Sequence, residues 1–229
     1  PWTSLRELEQ ASIAFENDEK GLNEKWLKQL LAPGSSLGGA RPKASVLATD
    51  GSLWIAKFPS KNDDFNSGAW EMVVHELAVM CGLNVPEAKA EKFSRLGTTF
   101  LVKRFDRIES RRIHFSSAMT MLGKKDGANA ADGSSYLEIV SFLKANGATP
   151  KKDIQELWKR IVFSMAVSNT DDHFRNHGFI LEEKGWVLSP MYDVNPDIYG
   201  EFLSLNVDED NSAIDFDLAI EAAPYYEIS

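Results

Sequence analysis

The chain has 229 residues, 43% of them hydrophobic and 26% charged, which suits one domain or two closely packed lobes built on a real core. A net charge of −9 with no dominant Lys/Arg run argues against direct nucleic-acid binding. A single cysteine, Cys81, excludes an internal disulfide framework and a Cys-rich metal site. No apolar stretch is long enough to span a membrane and no signal-peptide pattern is present, so a reducing cytoplasm fits.

Residues 3–16 and 22–32 read as two short amphipathic helices. Leu5, Leu8 and Phe15 mark the apolar face of the first, and Trp26, Leu27, Leu30 and Leu31 that of the second. A loop rich in Gly and Ser follows over 34–43. Two apolar runs, ASVLAT and SLWIAKF, flank Asp50-Gly51, which predicts a hairpin whose type I′ turn has positive φ at both central residues. Helical periodicity over 64–81 ends at Gly82, a C-cap signal; Cys81, in this apolar setting, reads as a small buried hydrophobe. Strand candidates follow at 87–93 and 98–105. The expected result is a small β-rich N-lobe over 1–105 and a mainly helical C-lobe over 106–229, an α+β arrangement. In the second half, 106–133 carries Gly123, Gly127 and Gly133 and reads as loops and short helices. Helices are expected at 135–145 and 151–168, a second hairpin across HGFIL-EEKG-WVLS, and a last helix near 212–223.

The chemistry concentrates in Asn169-Thr170-Asp171-Asp172-His173-Phe174-Arg175-Asn176, where an apolar helix delivers the chain into a polar loop and a strand carries it away. Asp171 and Asn176 have the spacing of the catalytic-loop Asp and Asn of protein kinases, and Asp193 follows the hairpin where a second metal-binding Asp is expected. Phosphoryl transfer needs such a set: oxygen ligands to hold magnesium against the phosphates, and one carboxylate to orient the attacking hydroxyl. Taken singly, each residue would be an ordinary turn or cap; the three in register, with a hairpin between, point to a site. Asp172 is one short of the spacing and reads as a neighbour. Lys57, in the otherwise apolar strand WIAKF, is placed like the strand lysine that meets ATP phosphates, with Glu71 preferred over Glu76 as its ion-pair partner. Loop 34–43 can offer backbone N–H groups at Gly38 and Gly39, but it is not a Walker A loop, because Ala40 stands where the lysine belongs.

The segments SSLGGARPK, WIAKFPS, HELAVMCGLNVP, LVKRFDR, NTDDHFRNHGFI and SPMYDV, in this order over residues 35–194, resemble the HipA family of bacterial toxin kinases. The resemblance implies a two-lobed protein-kinase-like fold that uses ATP and Mg2+. It makes Asp171 the catalytic base and Asn176 and Asp193 the metal ligands. Nucleotide would be met by Gly38, Gly39, Ala40, Arg41, Pro42 and Lys43 in the loop, by Lys57, by Lys103, Arg104 and Phe105 at the hinge, and by His173. Ser36, or its neighbour Ser35, would be the autophosphorylated loop serine. It further implies a cytoplasmic bacterial enzyme that phosphorylates serine on a protein, such as an aminoacyl-tRNA synthetase, and pairs with a helix-turn-helix antitoxin. The small N-terminal β domain of full-length members would be a separate protein, as in the short-toxin branch, or lie outside this sequence, and the family's C-terminal helices are incomplete here. Two other readings compete: a small-molecule kinase of the aminoglycoside or choline type, against which RFDR and NTDDHFRN weigh, and a non-catalytic pseudokinase module, against which the intact Lys57, Asp171, Asn176 and Asp193 weigh.

Overall fold

The computed structural model describes residues 3–17, 41–108, 111–197 and 199–229. The helix expected at 22–32 and the loop glycines lie outside these residues. Two compact units are present: residues 1–73 with 86–111, and residues 74–85 with 112–229.

In the first unit, helix α1 (Thr3–Glu16) precedes a four-stranded antiparallel sheet of β1 (Lys43–Leu47), β2 (Leu53–Lys57), β3 (Ala88–Glu91) and β4 (Thr99–Lys103), in the order β1-β2-β4-β3. Leu5 and Leu8 of α1 bury against Ala44, Trp54, Ala56, Phe58 and Leu101 of the sheet. Each fully buried large apolar side chain of this kind contributes roughly 1.5–3 kcal/mol. Phe15 is 52% exposed rather than on the buried face, because the buried stripe ends at Ser12, before the helix's last turn. The β1–β2 hairpin forms in the expected place with a different turn. Only Gly51 is left-handed, at φ +82°, and Ala48 O accepts from Gly51 N while Ser52 O accepts from Ala48 N. That is a three-residue loop closed by a glycine bulge, with Asp50 Oδ1 accepting from Ser52 N at 2.9 Å.

Helix α2 (Ser67–Met80) starts behind Asn66, whose Oδ1 accepts from Ala69 N and Thr98 N. Gly68 is required there: a Cβ would lie 2.0 Å from Thr98 O. The helix ends with Leu83 N donating to Ala78 O and Gly82 N to Val79 O, Gly82 being left-handed at φ +69°. Cys81, at the cap, is exposed rather than buried: the turn that closes the helix sends Leu83 into the core in its place.

The second unit gathers its core around helices α4 (Tyr136–Asn146) and α5 (Pro150–Ala166), with Ile139, Leu143, Ile154, Leu157 and Ile161 fully buried. A capping box between Ser135 and Glu138 starts α4. Residues 106–133 hold more strand than expected. Residues 106–111 still belong to the first unit and hold β5 (Arg107–Ile108), which pairs with β6 (Arg111–Arg112); β7 (Phe115–Ser117) and the one-turn helix α3 (Ala118–Met121) follow in the second. Strand β7 adds to the hairpin of β8 (Gly178–Glu182) and β9 (Gly185–Leu188) to make a three-stranded antiparallel sheet. Helix α6 (Phe216–Ala222) begins four residues later than expected, behind Asp215 as its N-cap. Among the described residues, no helix is long and apolar enough to cross a membrane.

Candidate active site

Helix α5 carries the chain into the polar loop through a turn with a cost. Asn169 N donates to Ser164 O and Ser168 N to Met165 O, the pattern that ends helices at a left-handed residue, and here that residue is Ser168, at φ +50°. Glycine is the usual choice at such a position; a side chain there stores strain that the surroundings must hold. They do. Asp197 N donates to Ser168 O at 2.7 Å, Ser204 Oγ donates to Thr170 O at 2.7 Å, and buried Asn169 Oδ1 accepts from Asn195 N.

Within the loop, two adjacent carboxylates have opposite surroundings. The Asp171 side chain is 81% exposed, with His173 Nε2 3.7 Å from its Oδ1. Its backbone carbonyl is the fixed point: Asn176 Nδ2 donates to it at 2.8 Å and His173 N at 3.0 Å. Asp172 is buried, and its Oδ2 accepts from Tyr136 Oη at 2.9 Å and Ser164 Oγ at 3.2 Å. His177 Nε2 stands 2.9 Å from Asp172 Oδ1, a contact of charge and distance rather than of hydrogen-bond angle. Burial raises the Asp172 pKa, but the facing His177 ring and the hydroxyl donors Tyr136 and Ser164 outweigh it and hold the carboxyl below its ordinary value. The same network pushes the Tyr136 hydroxyl far up, through burial first and the Asp172 charge second.

Asp193 follows β9 in the left-handed region, at φ +58°, with Asn195 Nδ2 3.3 Å from its Oδ1. Tyr192 Oη donates to Arg175 O at 2.8 Å, tying this segment to the loop. Asn176 spends its Nδ2 on Asp171, which leaves its Oδ1 as the atom for a cation. Among the described residues, no three His, Cys, Asp or Glu side chains converge on one point. A metal held by Asn176 and Asp193 would therefore keep most of its shell in water and phosphate oxygens, which is how magnesium is bound and what these two oxygen donors fit. Beside the loop, a cleft of about 180 Å³ is lined by Met119, Asn129, His173, Phe174, Arg175 and Ser204.

In the first unit, Lys57 ends β2 opposite Phe100 of β4 and Lys43 of β1. Its Nζ lies 2.5 Å from Glu71 Oε1, and both side chains are buried. The hinge candidates divide. Lys103 is half-exposed, 3.2 Å from Glu87 and over the Trp54 ring. Arg104 makes a two-pronged ion pair with Asp106, at 2.8 and 2.7 Å, which Arg107 joins. Desolvation raises the Asp106 pKa, but these two arginines win and lower it. Phe105 is half-buried. Arg41 pairs with Asp63, Pro42 O accepts from Phe58 N, and Lys43 is buried in β1. Ser35, Ser36, Gly38, Gly39 and Ala40 lie outside the described residues. Sequence reasoning did not find Asp106 as the hub of RFDR, nor Tyr136, Ser164 and His177 around Asp172. His177 was the one with a local signal, one residue beyond Asn176.

The model of the HipA-like C-terminal domain matches residues 35–225. Among curated relatives, Y4mE of Sinorhizobium fredii is 28% identical over 182 residues, spanning 69% of this chain and 41% of its own length. Y4dM of the same organism is 27% identical, over 79% and 42%, and a Haemophilus influenzae protein is 26% identical, over 70% and 52%; all three are named as candidate kinases. The chain thus spans about half or less of the length of these relatives. Two solved structures share the fold. One is the Shewanella oneidensis HipA, HipB and operator DNA complex, with a TM-score of 0.67 at 18% identity over 89% of this chain and 61% of that one. The other is the Helicobacter pylori proinflammatory kinase CtkA, with a TM-score of 0.61 at 16% identity over 80% and 77%. With its α+β fold shared by these proteins and a family match over most of its length, the chain belongs to the HipA-like C-terminal domain family.

Proposed function

We propose that this chain is the catalytic part of an ATP- and Mg2+-dependent serine/threonine protein kinase, the toxin of a HipBA-type toxin–antitoxin system in the bacterial cytoplasm. The observation that carries the reading is the loop itself: an exposed Asp171 carboxylate fixed through its backbone by Asn176, with Asp193 held in a left-handed conformation. In this reading Asp171 takes the proton of a serine hydroxyl as its oxygen attacks the γ-phosphorus and the bond to ADP breaks. Asn176 and Asp193 hold the magnesium, which supplies positive charge against the phosphates. Lys57, kept in place by Glu71, contacts phosphate oxygens. Residues 38–43 cover them, 103–105 meet the base, and His173 stands beside Asp171. Ser36 or Ser35 is the site of autophosphorylation. The substrate is a protein, such as an aminoacyl-tRNA synthetase. The HipB bound to the Shewanella HipA supports a helix-turn-helix partner here, with the small N-terminal domain possessed by longer members either fused or separate.

The test is thermal. ATP with magnesium should raise the melting temperature, because a ligand of the native state stabilises by mass action. Asp193→Ala should remove most of that rise while leaving the ligand-free melting temperature close to wild type. An unchanged rise in the mutant would take Asp193 out of the metal site. Transfer of labelled phosphate to Ser36 or Ser35, mapped by mass spectrometry, tests the autophosphorylation.

A further inference from the structure

All 25 Lys and Arg residues lie before residue 185, and residues 185–229 hold ten Asp and Glu with no Lys, Arg or His. The last fifth of the chain therefore carries a charge of −10, against +1 for all the rest. The same segment exposes large apolar side chains: Phe202 is 60% exposed, Phe216 52% and Ile220 66%. They are brought together by the backbone. Phe202 bridges Ala213, and Ile214 N donates to Glu201 O at 2.9 Å, which sets Phe202 beside the start of α6. Phe216 and Ile220 share one face of α6, four residues apart, while Leu218, Ala219 and Ala222 turn inward. Glu201, Asp215, Asp217 and Glu221 are exposed around them.

We infer that this face docks a cationic amphipathic segment of a partner protein. Exposed apolar side chains gathered in one place mark an interaction surface, and aromatic anchors inside a charged rim are how such surfaces bind. The rim that this segment supplies has one sign. It repels nucleic acid, and it repels a second copy placed face to face, since a twofold interface would set the same carboxylates against each other. It attracts a helix with Lys or Arg on one side and Leu or Ile on the other. The inference does not depend on the kinase reading.

The probe is a fluorescent Leu/Lys peptide that forms an amphipathic helix, with a Leu/Glu peptide of the same pattern as its control, titrated by anisotropy against the protein. The Leu/Lys peptide should bind and the Leu/Glu peptide should not. Glu201→Lys, Asp217→Lys and Glu221→Lys together should weaken binding at least about tenfold, and so should Phe216→Ser with Ile220→Ser. These are surface positions, and an unchanged melting temperature shows that each variant is folded. Equal binding of both peptides would reduce the effect to charge-independent apolar adsorption, wild-type affinity in the apolar pair would reduce it to electrostatic adsorption, and either would overturn the proposal. A solution dimer dissolved by Phe216→Ser with Ile220→Ser would overturn it too, by assigning the face to a second copy.

Discussion

The lysine of the first unit and the aspartate of the second are held in opposite ways. Lys57 is buried and its ammonium is met by the Glu71 carboxylate at 2.5 Å. Asp171 is open to water, among the described residues its carboxylate is met by His173 at 3.7 Å, and its place is set through its backbone carbonyl. In the function proposed above, a fixed positive charge can be pre-paired and still serve, because its work is to stand in one place. A carboxylate that must accept a proton is spoiled by a strong partner, which would lower its basicity. So the strong partners are given to the next residue, Asp172, which anchors the loop from its buried side while the Asp171 carboxylate stays exposed. The contrast predicts that substitution at Asp171 is felt in chemistry, and at Asp172 and Glu71 in stability.

The largest effect should come from Asp171→Ala. A positioned general base contributes roughly 10²–10⁴-fold, and turnover should fall by that factor while the melting temperature and the shift with ATP and magnesium hold near wild type. Loss of stability in place of activity would make Asp171 structural. Full activity in this variant alongside inactivity in Asp172→Ala would exchange the two roles.

Asp172→Ala should be the most damaging to folding. It takes the shared carboxylate away from Tyr136, Ser164 and His177 in a buried site. Removing one member of such a buried charged set costs about 3–5 kcal/mol. Glu71→Ala belongs at the low end of that range, since Lys57 sits on a flexible stem that can turn toward water. Urea denaturation of both variants measures the difference. A loss in Glu71→Ala equal to that in Asp172→Ala would mean the two regions are held alike, against the contrast drawn above.

These anchors show which parts of the molecule a sequence displays. Asp171, Asn176 and Asp193 stand out as candidates because their spacing is local and their loop is polar between an apolar helix and a strand, and the structure brings Asn176 onto the Asp171 carbonyl. The Lys57 strand and its helix are legible by periodicity, and Glu71 was preferred from its place on that helix. Tyr136 is not: it reaches Asp172 across 36 residues, from another helix, and nothing near it in the chain signals the contact. Strand β7 is three residues long, lies among glycine-rich loops and pairs with residues 178–180, far ahead in sequence. Phe15 and Cys81 were misplaced for one reason: both sit where a helix ends, and periodicity assigns a face without knowing where the surface that covers it stops.

The smallest effect is also the most diagnostic. Tyr136 Oη lies 2.9 Å from Asp172 Oδ2 and 3.3 Å from the Asp172 backbone carbonyl, so its hydroxyl has a titrating acceptor and a silent one. If the carboxylate is the main partner, Tyr136→Phe should cost about 1.5–3 kcal/mol at neutral pH, the worth of a hydrogen bond to a charged group. The pH dependence follows from the depressed pKa of Asp172, which burial raises and the His177 ring and the two hydroxyl donors lower by more. A carboxyl depressed on folding contributes stability that is fully present above its unfolded pKa, about 3.9, and is lost as pH falls through the lower folded value. The gap between wild type and Tyr136→Phe, read from urea midpoints, should therefore be constant from about pH 7 to 5 and narrow below about pH 4. A gap that stays the same down to pH 3 would place the hydroxyl on the backbone carbonyl, and the loop would then be anchored through its main chain at Asp172 as it is at Asp171.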